Sequence, residues 1–263
     1  MSTIRKWILI AAMSFCTTAF ANTYTSDFSD LWWNENEPGW GVNVNHQREV
    51  VFLTFFIYGK DGRVLWYTGQ ASHVGQTPQG ALVFTGGMYA FTGGSWFAGV
   101  YNAANVSGRS AGTVSFTAYL DSATLAYTID GMSVTKVVTR QTFRNNDLSG
   151  GYAGQIKQVR SGCKTPYTNG DINSNVELNV TTTANTFLMT VRNPDSSVCT
   201  YSGNYVQNGR LGRSQGTYTC PGGVTGKYDA FELEANTQGY LGRYFAGDNF
   251  CSSVTGRFAA MRK

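Results

Sequence analysis

Apolar and polar side chains alternate with a period of two along residues 40–67. Successive side chains of a β-strand point to opposite faces, so this alternation predicts three consecutive antiparallel strands. The first turn is predicted at Gln47-Arg48. The apolar pairs on the buried face are then Trp40–Phe55, Val42–Leu53 and Val44–Val51. A slip by one residue would mix apolar and polar faces, so the pattern selects this pairing.

The second turn of this segment is predicted as a four-residue loop at 59–62, because Asp61-Gly62 is a strong hairpin signal. That loop length would place Trp66 opposite Phe55, in the core. The opposite face would then carry both aromatic and amide side chains, namely Asn43, Asn45, Phe52, Thr54, Phe56, Leu65 and Tyr67. This mixture is unusual for a solvated face and indicates a binding surface.

Similar patterns continue to the end of the chain and predict an all-β protein. The remaining strands of the first half are expected near 81–89, 112–119, 123–129 and 132–143, with a two-residue turn at Asp130-Gly131. The second half should contain strands near 150–159, 174–180, 185–192, 197–206, 211–220, 226–235, 239–246 and 253–261. The glycine-rich stretch 86–112 is predicted to be a long loop carrying Tyr89, Trp96, Phe97 and Tyr101.

Short strands at this spacing predict two antiparallel meander barrels or sandwiches, with a lipocalin-like or streptavidin-like architecture by analogy. Tryptophan is concentrated in the first half and cysteine in the second. We therefore expect an aromatic-rich β domain over 28–145 and a disulfide-stabilised β domain over 147–263.

The first 21 residues have the features of a secretory signal peptide. A basic start at Arg5-Lys6 precedes the apolar stretch 7–15 and the small-residue cleavage site 19–21. The protein is therefore expected to be exported, to the periplasm or beyond the cell, with no membrane span. Charged residues make up only 14% of the chain, against about 25% in typical proteins. No basic cluster is present, so nucleic acid is not an expected partner.

Four cysteines lie beyond the signal segment, and an even number in an exported chain predicts two disulfides. Four cysteines allow three connectivities. Asn208-Gly209 marks a hairpin, and a four-residue loop at 208–211 would place Cys199 opposite Cys220 and leave Cys163 to pair with Cys251. A metal site is disfavoured because there is no C-x-x-C pair and no nearby histidine. No cofactor is expected.

Candidate catalytic groups are few. His46 ends a strand opposite Glu49, which suggests either a general base or an ordinary surface histidine, and the second interpretation is favoured. Two carboxylate pairs could in principle serve a glycan hydrolase, Glu35 with Glu37 and Glu232 with Glu234. No G-x-S-x-G motif precedes a helix. The pattern of residues leaves enzymatic activity open and favours a protein that is not an enzyme.

The strongest functional signal is the aromatic set. Trp40 and Trp66 are assigned to the core, and the predicted ligand-binding residues are Trp33, Asn43, Asn45, Tyr67 and Trp96. Aromatic rings beside amides suit a neutral ligand, either a glycan or a small apolar molecule. A glycan hydrolase is the first alternative. A structural or inhibitory cell-envelope protein with a protein partner is the second.

One group of residues resembles a known type of module. It comprises Leu31-Trp32-Trp33-Asn34, Gly39-Trp40-Gly41, Asn43, His46-Gln47, Phe52, Phe55-Phe56, Tyr58, Gly62, Trp66 and the ending at 134–143. The pattern is similar to an uncharacterised β-rich module of secreted proteins from Gram-negative bacteria, and it covers about residues 28–143. At Val51-Phe52-Leu53 the side chains are bulkier than those that this pattern has at the same positions. The cysteine-bearing half resembles the C-terminal halves that accompany the module. The resemblance implies export and a β-rich fold, and it implies no catalytic residues.

Overall fold

The computed structural model describes residues 26–165 and 168–263, so the predicted signal peptide lies outside the described residues. The strands of the first half are β1 Asp30–Trp33, β2 Gly41–Gln47, β3 Val50–Tyr58, β4 Val64–Gln76, β5 Leu82–Gly93, β6 Val106–Tyr119, β7 Ser122–Ile129 and β8 Met132–Arg140. Those of the second half are β9 Gly150–Cys163, β10 Gly170–Thr182, β11 Thr186–Arg192, β12 Val198–Asn208, β13 Leu211–Cys220, β14 Val224–Ala235, β15 Gly239–Asp248 and β16 Cys251–Arg262. Short 3₁₀ turns occur at Ala103–Asn105 and Pro221–Gly223.

The strands form two closed antiparallel barrels of eight strands each, which confirms the predicted fold class. Each barrel is a meander in which every strand pairs with its neighbours in sequence. The first barrel closes where β1 pairs with β8, and the second where β9 pairs with β16. The short strand β1 was not predicted, although it completes the first barrel. Closure gives the first and last strands of each barrel a partner.

The first barrel is filled by large aromatic and aliphatic side chains. Trp32, Phe55, Phe84 and Phe116 are fully buried, and Phe28 packs edge-on against Phe84 and Phe116 from the segment before β1. Each such side chain contributes about 1.5–3 kcal/mol by leaving water. The indole Nε1 of Trp32 donates to the Phe28 carbonyl at 2.9 Å, so its one polar group is satisfied.

The β2–β3 pairing differs from the prediction by two residues. The turn residues are Arg48 and Glu49, so Val42 pairs with Phe55 and Val44 with Leu53. Arg48 takes a left-handed backbone conformation with φ 52°, which this two-residue turn requires. Because the error is two residues, it preserves the predicted faces. Val42, Val44, Val51, Leu53 and Phe55 all lie in the core.

The β3–β4 hairpin was predicted with the wrong loop parity. Gly59 donates its N–H to the Arg63 carbonyl at 2.9 Å, so the turn proper is the three residues 60–62. Gly62 ends this turn with φ 75°, a conformation that three-residue hairpins reserve for glycine. An odd loop reverses the two faces of β4. Trp66 is therefore 51% exposed, and Tyr67, predicted on the outer face, is 8% exposed in the core.

The predicted loop 86–112 is mostly a β-hairpin. β5 continues to Gly93 and β6 begins at Val106, and Phe91 pairs with Gly108 between them. The remaining loop covers 94–105, where Trp96, Phe97 and Tyr101 are all exposed. Glycines therefore shape a long hairpin here and leave a shorter loop than expected.

The second barrel carries both predicted disulfides, Cys199–Cys220 and Cys163–Cys251. Asn208 pairs with Leu211 around a two-residue turn. In this register Cys199 pairs with Val191 of β11, and Thr219, the residue before Cys220, pairs with Thr200. Cys163–Cys251 joins β9 to β16, the pair of strands that closes the barrel. The two bridges indicate an oxidising compartment.

The barrels contact each other through an ionic junction. Arg210, in the β12–β13 turn, binds Glu234 of its own barrel and Asp27 of the first barrel. Arg213 binds Asp229 and reaches Asp121 of the first barrel at 3.3 Å. Burial raises the pKa of Asp121, although Arg213 opposes this shift. We call these ends of the barrels the junction ends and the opposite ends the far ends.

A buried pair lies at the junction end of the first barrel. The Arg140 guanidinium stacks over the Trp32 ring at 4.7 Å and lies 3.3 Å from the Asp30 carboxylate. It also donates to the main-chain carbonyls of Asp27 and Ser29. Its side chain is almost completely buried, and buried charges of this kind require such partners.

Candidate ligand-binding sites

The five side chains predicted to bind a ligand are distributed over several parts of the first barrel. Asn43 and Asn45 are exposed on the outer side of β2, and Trp33 is half-buried at the end of β1. Trp96 is 70% exposed in the loop between β5 and β6, three strands further around the barrel from β2. Tyr67 points inwards. The structure therefore does not assemble these five residues into one site.

An aromatic surface does exist on the outside of β3, β4 and β5. We call it the outer aromatic face, and it consists of Phe52, Phe56, Trp66, Tyr89 and Phe91, all exposed. Phe56 pairs with Trp66 across β3 and β4. The Trp66 and Phe91 rings lie nearly parallel, 15° apart with centroids separated by 6.2 Å. Asn45 borders this face through its pairing with Phe52.

A concave site lies elsewhere, at the far end of the second barrel. It is a cavity of about 580 Å³, which is within the range of small-molecule pockets. We call it the cup. Its wall is formed by inward-facing residues of the strands, and its aromatic and polar members include Gln158, Arg160, Tyr201, Tyr218, Tyr244 and Asp248. Both disulfides also border it.

The cup is apolar below and polar at its mouth. The inward positions of β9 are Tyr152, which is buried, then Ile156, Gln158 and Arg160 towards the far end. β15 runs similarly from Tyr240, which is buried, through Tyr244 to Asp248. The period-two repeat of the strands therefore places the polar groups around the opening.

Two tyrosines reach across a glycine to a polar partner two strands away. Gly226 on β14 pairs with both Tyr218 on β13 and Asp248 on β15. The Tyr218 hydroxyl donates to Oδ2 of Asp248 at 2.5 Å, over the position that a Gly226 side chain would occupy. A Cβ there would lie 2.7 Å from Cε1 of Tyr218. This close approach requires glycine.

The second such contact holds the arginine of the cup. Gly256 on β16 pairs with Tyr244 and with Gln158, and the Tyr244 ring lies over it. The Gln158 amide is assigned the orientation that satisfies both of its ends, so its nitrogen donates to the Tyr244 hydroxyl at 2.8 Å. The Gln158 amide oxygen accepts from Nε and Nη2 of Arg160 at 3.1 and 2.7 Å. The side chain of Arg160 is therefore positioned through Gln158 and Tyr244.

The environment of the cup keeps its phenols neutral. Burial raises the pKa of Tyr201 to about 12, and the nearby Arg160 charge only partly offsets this effect. Burial also raises the pKa values of Tyr218 and Tyr244. These hydroxyls can therefore donate and accept hydrogen bonds at neutral pH without carrying charge. Tyr201 and Tyr218 stack with ring centroids 5.0 Å apart.

Asp248 is ionised despite its position. Burial acts to raise its pKa, but hydrogen bonds from Tyr218 and from the N–H groups of Cys251 and Phe250 outweigh burial and lower it. Oδ1 accepts both of these backbone donors, and Oδ2 accepts the Tyr218 hydroxyl. The carboxylate therefore fastens the β15–β16 turn and the Tyr218 side chain to each other.

The candidate catalytic carboxylates mostly serve as ion-pair partners. Glu37 binds Lys136 and accepts the indole N–H of Trp40. Glu232 binds Arg243 across a β-bulge, where Glu232 has φ 53°, and Glu234 binds Arg210 at the junction. Ring nitrogens of His46 contact the Phe28 N–H and the Arg48 carbonyl. These contacts give each of the named polar groups a structural role, and they do not bring the two carboxylate pairs into one cleft.

Comparisons add no identity to this description: no family model, curated protein or solved structure matches the chain. The resemblance to a secreted bacterial module therefore stays a prediction. Within residues 26–165 and 168–263, no helix is long and apolar enough to cross a membrane. The same residues contain no group of three or more histidine, cysteine, aspartate or glutamate side chains arranged to hold a metal ion.

Sequence reasoning missed the cup because eight separate strands contribute to it. A signal was nevertheless present in the second half. Tyr201, Tyr218 and Tyr244 each occupy an inward position on a strand that neighbours a glycine-bearing strand. Buried tyrosine hydroxyls usually have a hydrogen-bond partner, so several inward tyrosines indicate that polar groups lie nearby.

Proposed function

We propose that this protein is an exported, non-catalytic binding protein that holds a small organic molecule in the cup of its second barrel. The observation that carries the proposal is the cup itself: a cavity of about 580 Å³ with stacked tyrosines and convergent amide and charged groups. Ligand sites are typically concave, largely apolar and furnished with a few oriented polar groups. Aromatic and amide side chains remain the predicted recognition chemistry.

The absence of tryptophan from the second barrel allows a direct test. Every tryptophan of residues 26–165 and 168–263 belongs to the first barrel or its strand connections. The apolar fluorophore N-phenyl-1-naphthylamine, which brightens when it leaves water, should bind saturably. The emission of the probe, excited directly, then reports the cup, and tryptophan emission reports the first barrel.

Two matched variants locate the bound probe. Ser174 lines the cup, so Ser174→Trp should fill it and abolish probe binding. Thr255 is exposed on the outside of the same barrel, so Thr255→Trp should leave binding unchanged. If the probe does not bind, or binds Ser174→Trp as well as the parent protein, the proposal is wrong.

The outer aromatic face supports a second candidate function, the binding of a neutral glycan. Its supporting observation is the exposed, nearly parallel pair Trp66 and Phe91, since flat rings suit the apolar faces of sugars. Soluble glycans that bind there should shift tryptophan emission, and Trp66→Ala should remove the shift. A glycan-induced shift that persists in Trp66→Ala would contradict this placement.

A further inference from the structure

We propose that the ligand of the cup is an organic anion, in which an apolar body carries one carboxylate or similar acidic group, and that Arg160 binds this group. This inference rests on the proposed function and specifies the chemistry of its ligand. It replaces the neutral ligand expected from the sequence, because the relevant cation lies in a cup that the sequence pattern did not reveal.

The first argument is the hydrogen-bonding capacity of Arg160. A guanidinium has five N–H donors in a planar fork that matches a carboxylate or sulfonate. In the part of the chain that the structure describes, its hydrogen bonds go from Nε and Nη2 to the amide oxygen of Gln158. Among the described residues, no bond uses the Nη1 donors or the second N–H of Nη2, and Arg160 lines the cup.

The second argument concerns the acidic groups around Arg160. Asp248 and Asp195 also line the cup. Both oxygens of Asp248 already accept hydrogen bonds from the protein. Asp195 is exposed in the turn between β11 and β12, where its Oδ1 accepts the Ser197 N–H at 2.9 Å. Neither carboxylate forms an ion pair with Arg160, and Arg160 acts on Asp248 only as a nearby charge that helps to lower the pKa of that carboxylate.

The third argument is that the position of Arg160 is fixed before any ligand arrives. Gln158 holds the guanidinium, Tyr244 holds Gln158, and Gly256 gives the Tyr244 ring the space to do so. A preorganised donor loses little entropy on binding. Below Arg160, the side chains of Ile156, Val176 and Val191 offer an apolar wall to the rest of the ligand.

Two fluorescent probes separate the contribution of charge from that of shape. 8-Anilinonaphthalene-1-sulfonate and N-phenyl-1-naphthylamine share an aromatic body, and only the first carries an anionic group. We expect the parent protein to bind the sulfonate at least tenfold more tightly than the neutral probe, as a charged hydrogen-bonded pair allows. The Ser174→Trp variant should bind neither probe.

Substitutions at Arg160 then test the assignment. Arg160→Gln should weaken sulfonate binding about tenfold or more and leave the neutral probe unchanged. Arg160→Lys keeps the charge and should retain much of the preference. Arg257→Gln is the matched control, since Arg257 is exposed on the outer wall of the same barrel. Thermal unfolding of each variant checks that the barrel is intact.

The outcomes distinguish the two proposals. Equal binding of both probes by the parent protein, or a sulfonate affinity that Arg160→Gln does not change, would overturn the anion assignment while the cup remains a binding site. If Arg160→Gln does not fold, Arg160→Lys provides the test. A folded Arg160→Lys that no longer prefers the sulfonate over the neutral probe would count against the anion assignment. Probe binding that survives Ser174→Trp would overturn the proposed function itself.

Discussion

The two barrels have the same topology but place their aromatic residues differently. The first barrel packs tryptophan and phenylalanine inside and has further aromatic rings on its outer face. The second barrel carries tyrosines inside, leaves its far end concave and closes its rim with two disulfides. The hydroxyl group accounts for much of this difference. The hydroxyls of Tyr218 and Tyr244 are bonded to Asp248 and Gln158, and these partners supply part of the polar lining of the cup. Deeper in the barrel, the buried hydroxyls of Tyr205 and Tyr240 have no hydrogen-bond partner among the described residues.

This contrast also separates stability from function. A fully packed interior contributes the most hydrophobic free energy, while an open interior gives up part of it to keep space for a ligand. The disulfides lie at the rim of the open barrel, so they stabilise the part of the molecule that loses this hydrophobic free energy. The three predictions that follow test this difference, from the largest expected effect to the smallest.

Reduction of the disulfides should destabilise the second barrel selectively. The Cys163–Cys251 bridge spans 88 residues, and a closed loop of that length contributes about 4 kcal/mol in the chain-entropy account. Guanidinium unfolding should be followed by tryptophan emission, which reports the first barrel, and by near-ultraviolet circular dichroism of tyrosine. Dithiothreitol should move the part of the tyrosine signal that the second barrel contributes to lower denaturant and leave the tryptophan transition unchanged. Equal shifts of both signals would mean that the ionic junction couples the barrels into one unfolding unit.

Arg140→Met should destabilise the first barrel by about 3 kcal/mol, because it leaves the nearly buried Asp30 carboxylate without its cation. Arg63→Met is the control. Arg63 binds Asp61 at an exposed turn, where an ion pair contributes about 0–1 kcal/mol. Denaturant titrations followed by tryptophan emission measure both. Similar costs for the two variants would show that burial of the Arg140 pair is not what makes it important.

Gly256→Ala should cost about 1–2 kcal/mol and should also loosen the cup. The new Cβ would lie 2.4 Å from Cζ of Tyr244, so the ring must move and release Gln158. Gly151→Ala on β9 is the control, because its Cβ would meet only the Asn179 amide oxygen at 3.3 Å and Cδ of Lys263. Tyrosine circular dichroism and probe affinity measure the two effects. Unchanged probe affinity in a folded Gly256→Ala would show that Tyr244 does not position Arg160.

The fold was predictable because its signals are local. Alternation of side chains gives the faces of a strand, and Asn208-Gly209 gave the register that pairs Cys199 with Cys220. Whether a hairpin loop has an odd or an even number of residues was harder to predict. A four-residue loop pairs Tyr58 with Arg63, whereas the structure pairs Tyr58 with Val64 and Gly59 with Arg63. This difference of one residue reverses the faces of Trp66 and Tyr67.

The cup was not predictable from one sequence, for a different reason. Tyr218, Gly226 and Asp248 are separated in the chain, and they become a unit only when three strands adopt one register. β14 also contains a bulge between Phe231 and Glu234, which changes its pairing with β15. Such shifts depend on packing within the closed barrel, which a local pattern of side chains does not encode.

The two disulfides also impose an order on assembly. Cys199 and Cys220 belong to the adjacent strands β12 and β13, 21 residues apart, so their sulfur atoms can meet as soon as one hairpin forms. Cys163 and Cys251 belong to the first and last strands of the barrel. Closing the loop of 88 residues between them costs more entropy than closing the hairpin, so we expect this bond to form second. The Cys199–Cys220 bond therefore marks the pairing of two neighbouring strands, and the Cys163–Cys251 bond marks the closure of the barrel.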